Sequence, residues 1–244
     1  MGVRTKIWGP HAWVFLHGLA HALDECELPQ RRLAWARFNR LMQRLVLYLP
    51  CVYCRVSYSG FTSPPTGSLS TQLPLTDPEI TSAYAWSVAI HNSVNRKLEV
   101  PELSVEQAQR ENPPVSLTSA RWMNAWFQMV AFVLSDYQKR PVCRQSTLLN
   151  EFLPEVVDLL RVLDHPFVKY VDRHYPDLWQ CGSHCVSSRL EQRLRCLCRY
   201  RKAWYAWQPE ARTIYTITRA GQLATCLSAI VGCTTAQKGV KGCV

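Results

Sequence analysis

The sequence predicts an all-α protein, and three observations carry that prediction. Apolar residues recur at three- and four-residue steps through most of the long segments. Proline and runs of Ser, Thr, Pro and Gly punctuate those segments. Only Ile214 to Ile217 reads as a short strand, inside a stretch from Thr213 to Val244 that also offers a helix from Arg219 to Val231.

Taken in order, His11 to Leu23 is a helix with Val14, Leu16, Leu19, Ala20 and Leu23 along its apolar side. Gln30 to Leu49 is a longer one, its stripe supplied by Leu33, Phe38, Leu41, Leu45 and Val46. Pro50 interrupts it, and a new helical turn can begin at Cys51. Ser59 to Pro78 has the composition of a loop. Asp77-Pro78-Glu79 offers an N-cap, a proline at the first position and an acid in the first turn, and the helix it opens runs to about Leu98, with Pro101 beyond. Asn112-Pro113-Pro114 then divides the chain into residues 1–112 and 113–244. The second part reads as helices over Thr118 to Tyr137, Thr147 to Leu163, Pro166 to His174 and Ser188 to Trp207.

Composition narrows the function classes. With 244 residues, 48% hydrophobic and 19% charged, the chain can bury a sizeable core and is not of a disordered type. The longest apolar stretch, Trp122 to Leu134, contains Asn124 and Gln128 and falls short of the roughly 20 residues that cross a bilayer. The first residues lack a signal peptide's apolar stretch, and Lys6 stands where a myristoylation motif takes Ser or Thr, so no membrane association or signal-led secretion is expected. Eleven cysteines without an export signal point to redox or metal chemistry. The net charge of +10 peaks in the run from Arg189 to Lys202, which we read as a solvated helix face, so nucleic acid is not an expected partner.

Cys51-Val52-Tyr53-Cys54 is the central motif. Two cysteines at this spacing at a helix start can close a small disulfide. The helix N-terminus and Arg55 both favour a thiolate, which suits thiol–disulfide exchange. The spacing alone is equally compatible with zinc ligation or a static disulfide. Upstream, in Trp8-Gly9-Pro10-His11-Ala12-Trp13-Val14-Phe15-Leu16-His17, Trp13 and His17 are four apart and share a helix face. Downstream, in His91-Asn92-Ser93-Val94-Asn95-Arg96-Lys97-Leu98, His91 and Asn95 share a face, with Asn92 beside them. Together with Trp86 they can stack a flat ring and hydrogen-bond its edge, while Lys97 can meet a pyrophosphate.

The order WGPxxWxxLH, LPCxxCR, HNxVNxxL, from Lys6 to Pro101, resembles the Erv/ALR family of FAD-linked sulfhydryl oxidases. The resemblance implies a four-helix bundle with a short fifth helix that holds FAD, usually as a homodimer, followed here by a second, mostly helical, Cys-rich and basic domain. It implies that Cys51 exchanges with an incoming dithiol and that Cys54 lies next to the isoalloxazine. Trp13, His17, His91, Asn92, Asn95 and Lys97, with Trp8, Gly9 and Trp86 around them, would contact the cofactor. Electrons would pass from a protein dithiol, or from a thioredoxin-like carrier, to FAD and then to O2, giving hydrogen peroxide.

Two features depart from the family's pattern. Leu98-Glu99-Val100-Pro101 replaces its Gly-Lys-Pro run, and the cysteine pair that pins the fifth helix is missing. For a shuttle pair the candidates are Cys196 and Cys198, with Cys181/Cys185 and Cys226/Cys233 as others; no metal is expected, although a zinc site from Cys181, His184 or Cys185, Cys196 and Cys198 stays open. The helical extension is more similar to giant-virus sulfhydryl oxidases than to thioredoxin-fused cellular ones. The expected location is then the cytoplasm of an infected cell or the virion, or the mitochondrial intermembrane space if the chain is cellular. The rival reading is a non-catalytic scaffold whose basic, Cys-rich end binds zinc or nucleic acid.

Overall fold

A computed structural model of the chain describes residues 5–73, 82–136, 142–182 and 190–210, the side chains of Ile7, Leu69, 134–150 and 180–198 lying outside that description. Its described residues form nine α-helices and no strand, so the protein is all-α over them. The expected strand at Ile214 to Ile217 and the helix after it lie outside the described residues. No described helix is long and apolar enough to cross a membrane.

Helix α1 (Thr5–Asp24) begins six residues earlier than the sequence pattern suggests and carries Pro10 within it. Proline costs a helix the N–H that would reach the carbonyl four residues back, here that of Lys6, so the helix start is less well held than its centre. Helix α2 (Leu28–Tyr48) has a proline at its start and ends one residue short of Leu49. Its buried stripe is Ala34, Phe38, Leu41, Met42, Leu45 and Tyr48. Leu33, expected in that stripe, is 50% exposed, because a 3.6-residue period through Phe38 and Leu45 selects Ala34 and carries Leu33 past the core edge.

Helix α3 (Val52–Thr62) starts where Pro50 ends α2, with Cys51 as its N-cap. It continues through the first residues of the expected loop, which here begins at Ser63 and contains a 3-10 turn at Leu69–Thr71. Helix α4 (Ala83–Lys97) is capped by Ser82, whose hydroxyl accepts from the Ala85 amide. The expected start at Asp77 lies outside the described residues. Helix α5 (Val105–Glu111) opens with a complete capping box from Ser104 and Gln107.

Asp24, the last residue of α1, fixes where α4 begins. Its carboxylate accepts from the amides of Ala83 (2.8 Å) and Tyr84 (2.9 Å) and from the Ser82 hydroxyl (2.6 Å). An anion on the first-turn N–H groups satisfies orphan donors and complements the helix dipole, together worth about 1–2 kcal/mol. The contact also sets the register of α4 against α1, which decides which α4 residues face Trp13 and His17.

Beyond Asn112-Pro113-Pro114 come α6 (Ala120–Asp136), α7 (Val142–Val162), α8 (Pro166–His174), a 3-10 segment Pro176–Gly182, and α9 (Leu190–Trp207). Pro166 to His174 has the bounds expected from the sequence; α7 starts five residues earlier. Helix α6 packs along α1 and α7 along α2. One hydrophobic core runs from Trp8 through Phe38 and Trp122 to Trp204, so it is continuous across the 112/113 division.

Two contacts show how closely the parts fit. The Trp122 indole N–H donates to the Phe15 carbonyl (3.1 Å), and the two rings stack at 5.6 Å. Between α2 and α7, Arg44 pairs with Glu151 and Glu155, and the buried Tyr48 hydroxyl donates to Glu155 (2.8 Å). Burial raises the Glu155 pKa, and Tyr48 and Arg44 oppose that rise.

Candidate functional site

Cys51 and Cys54 form a disulfide at the head of α3, their Cα atoms 5.1 Å apart. As the N-cap, Cys51 turns its sulfur back over the first turn, where Sγ accepts from the Cys54 amide at 3.3 Å. A charge on Cys51 would thus sit on a helix N-terminus, as its place after Pro50 leads one to expect. The Arg55 guanidinium donates to the Leu49 carbonyl (2.7 Å), fastening α3 to the end of α2. Cys51 is 9% exposed, and Cys54 is the more open of the two.

The α1 face nearest the disulfide is a ridge at four-residue spacing: Thr5, Gly9, Trp13, His17. The Thr5 hydroxyl lies 3.6 Å from Cys54 Sγ. From Thr5 to His17 the ridge covers about 18 Å at 1.5 Å per residue. Gly9 is buried, and outside its own helix backbone and chain neighbours a Cβ built on it would meet the Thr5 methyl, at 3.6 Å.

At the far end of the ridge, Trp13 stacks on His91 of α4 with ring centroids 3.9 Å apart and 13° between planes. His17 completes the cluster: its Nδ1 is 2.7 Å from Ser87 Oγ, and its Nε2 is 3.1 Å from His91 Nδ1. The proton positions follow in sequence. Ser87 has one hydroxyl proton and gives it to the Tyr84 carbonyl (2.7 Å). Ser87 Oγ therefore accepts from His17 Nδ1–H, His17 Nε2 carries a lone pair, and His91 Nδ1–H donates to it. His91 Nε2 is left as an acceptor on a half-buried ring.

Both histidines are neutral in this arrangement. Burial, and secondarily the proximity of His91, lowers the His17 pKa to about 3, and burial lowers that of His91 to about 4. The unfolded chain takes up these protons near pH 6.5, the folded chain only some units lower. The unfolded state therefore binds more protons below pH 6.5, and stability present above that pH is lost as pH falls toward 4 and then 3. We expect the thermal midpoint to fall over this window by an amount equivalent to on the order of 2–4 kcal/mol for the pair, discounted for their partial exposure. His91→Gln should flatten the slope; an unchanged slope in that variant would place the titration elsewhere.

The remaining expected cofactor residues divide. Lys97, at the end of α4, reaches across to Ser57 on α3, one turn beyond Cys54, so a cation stands on the disulfide's side of α4. Asn92 uses both ends of its amide on Leu103, donating to its carbonyl (2.8 Å) and accepting from its N–H (3.1 Å). Asn95 donates to the Pro101 carbonyl at 3.3 Å. These two amides hold the turn that leads into α5. Trp86 is in the core, edge-on to Phe38 at 5.8 Å, and Trp8 is buried in the same core. The indole N–H groups of both are buried without an acceptor among the described residues.

Sequence patterns do not single out Thr5, Ser57, Ser87 or Asp24. Ser87 and Thr5 carry a usable signal, standing four residues before His91 and before Gly9 respectively. Asp24 carries none, since its partners lie almost sixty residues away.

Cys196 and Cys198 lie on α9, and their side chains, like those of the zinc candidates Cys181, His184 and Cys185, are outside the described residues. Within the basic run, the Arg201 guanidinium lies over the rings of Phe127 (5.4 Å) and Tyr205 (5.3 Å), so part of its surface covers aromatic core. Among the described residues no group of three metal-ligating side chains converges. No protein-family model, curated protein or solved structure matches the chain.

Proposed function

We propose that the chain is an FAD-dependent sulfhydryl oxidase of the Erv/ALR type, forming disulfides in protein substrates through Cys51 and Cys54. The observation that supports this best is a juxtaposition: the Cys51–Cys54 disulfide stands at one end of the α1 ridge whose other end carries Trp13, His17 and the His91 they meet. A static disulfide gives no reason for that alignment.

Several of the residues present suit a flavin dinucleotide, which supports the reading. Gly9 lacks a side chain one turn from Thr5, which meets Cys54, His91 Nε2 offers an acceptor to an amino group, and Lys97 offers a cation to a diphosphate. Trp13 and His91 are in direct contact, so a planar group would meet the pair from outside rather than enter between them. A flavin bound there would supply the two-electron acceptor that dithiol oxidation needs and the means to pass those electrons to O2.

The chain's own part is thiol exchange. A substrate thiolate attacks Cys51 Sγ, the Cys51–Cys54 bond breaks, and Cys54 departs with the electron pair as a thiolate. The second substrate thiolate then attacks the mixed disulfide, releasing the oxidised substrate and Cys51 as a thiolate. Over a full cycle two thiols and one O2 become one disulfide and one H2O2. Substrates of this reading are protein dithiols, directly or through a thioredoxin-like carrier, with Cys196 and Cys198 as the candidate relay. A homodimer belongs to it by resemblance, and a second copy would have to use surface other than the α1 and α2 faces that α6 and α7 cover.

The purified protein is expected to be yellow, with the visible band of an oxidised flavin at one per chain, and to consume O2 when given dithiothreitol. Colourless protein carrying stoichiometric zinc and inert toward dithiothreitol would sink the reading in favour of a non-catalytic, metal-binding scaffold.

A further inference from the structure

We propose that the Thr5 hydroxyl is part of the redox centre: it donates a hydrogen bond to Cys54 Sγ and makes Cys54 the sulfur that leaves when the disulfide opens. This rests on the reading of Cys51–Cys54 as an exchanging disulfide. The contact is 3.6 Å between Thr5 Oγ1 and Cys54 Sγ, within reach for a sulfur acceptor. A disulfide sulfur carries no hydrogen, so Thr5 must be the donor. The methyl points along α1 toward Gly9, where a Cβ would lie 3.6 Å from it, and the hydroxyl takes the branch facing α3.

The two sulfurs therefore have different donors. Cys51 Sγ receives the backbone amide of Cys54 at 3.3 Å, a contact internal to α3. Cys54 Sγ receives a side-chain hydroxyl from another helix. Attack at Cys51 breaks the S–S bond and puts the electron pair on Cys54, where Thr5 O–H is already aimed; the hydroxyl keeps its proton and only its hydrogen bond strengthens. A leaving thiol whose thiolate is stabilised departs faster. That preference matters because Cys51, at 9% exposure, is the less open sulfur and access alone would direct attack to Cys54.

The test reads the thiols without using the flavin. In a Cys51→Ser background the tryptic peptide from Leu45 to Arg55 carries Cys54 as its single cysteine, so its alkylation by iodoacetamide can be followed by mass spectrometry across pH. Adding Thr5→Val is expected to move the midpoint of Cys54 alkylation upward and slow the reaction at pH 7 by about threefold to tenfold. Adding Thr5→Ser should restore both. The Cys51 midpoint, measured in a Cys54→Ser background, should stay where it is with any residue at position 5. An unmoved Cys54 midpoint in Thr5→Val, an equal movement of both cysteines, or failure of Thr5→Ser to restore would each overturn the assignment. Flavin content and oxygen consumption are scored separately on the parent protein, so a failed oxidase reading is not mistaken for a failed Thr5.

Discussion

On the sulfhydryl-oxidase reading, Cys54→Ser is expected to reduce dithiol-driven oxygen consumption to background and to leave Cys51 as a thiol that only an added disulfide can trap as a mixed disulfide. With serine at position 54 the Cys51–Cys54 disulfide cannot form, so no bond is there to accept a substrate's electron pair, and the Cys51 thiolate has only external partners. Serine is nearly isosteric with cysteine, and the amide of residue 54 can still donate to Cys51 Sγ at the α3 N-cap, so the helix head should be retained. Visible absorbance of the bound flavin should persist, because Trp13, His17, His91 and Lys97 are untouched. The measurement pairs an oxygen electrode with intact mass after incubation with oxidised glutathione, whose disulfide the Cys51 thiolate opens with release of one glutathione thiolate. If the trapped adduct instead forms readily in Cys51→Ser and not in Cys54→Ser, the roles of the two sulfurs are exchanged. The greater openness of Cys54 gives that outcome a physical basis, so the experiment tests more than the motif.

Much of the candidate site is legible in the sequence because it is written in short-range periodicity. Trp13 and His17 are four apart on a helix, and so they share a face wherever the helix goes. Cys51 follows a proline that must end one helix and can start another, which is enough to mark it as an N-cap from local chemistry alone. What local chemistry does not convey is how faces are spent. Asn92 is a plausible ligand residue by type, yet its amide matches the backbone groups of Leu103 and is satisfied there. Trp86 lies on the α4 side that meets Phe38 of α2, and no local pattern records which helix that side meets. Periodicity places the starts of α1 and α7 too late: α1 runs through Pro10 with Trp8 in the core, against local propensity, and the α7 backbone is helical from Val142. Continuity of the core is likewise hidden. Asn112-Pro113-Pro114 has the composition of a link, and composition is silent on whether the helices it joins pack together.

That packing makes Gly18→Ala a strongly damaging single-methyl change. On an ordinary helix the substitution would stabilise, since alanine exceeds glycine by about 1 kcal/mol in helix propensity. Here the added Cβ would stand 2.4 Å from Trp122 Cδ1 and 2.6 Å from its Nε1, with the Val115 carbonyl at 3.2 Å. Trp122 cannot retreat. It is fully buried, its N–H is held by the Phe15 carbonyl, and Phe15 and Trp126 pack against its ring. The strain then passes to α6, which must move off α1 and weaken that hydrogen bond. Overpacking of a rigid site costs about 1–3 kcal/mol and more where a backbone must shift, so the net effect should be a loss of about 2 kcal/mol or more despite the propensity gain. For a chain of this size that corresponds to a fall in thermal midpoint of roughly 4–8 °C. Gly18→Ala combined with Trp122→Leu separates the causes. If the methyl acts through the indole, the double variant loses less than the sum of the two single losses, because the clash has gone. A Gly18→Ala protein as stable as the parent would mean that α6 does not sit this close to α1, and that residues 113–136 are not part of the core that carries the disulfide.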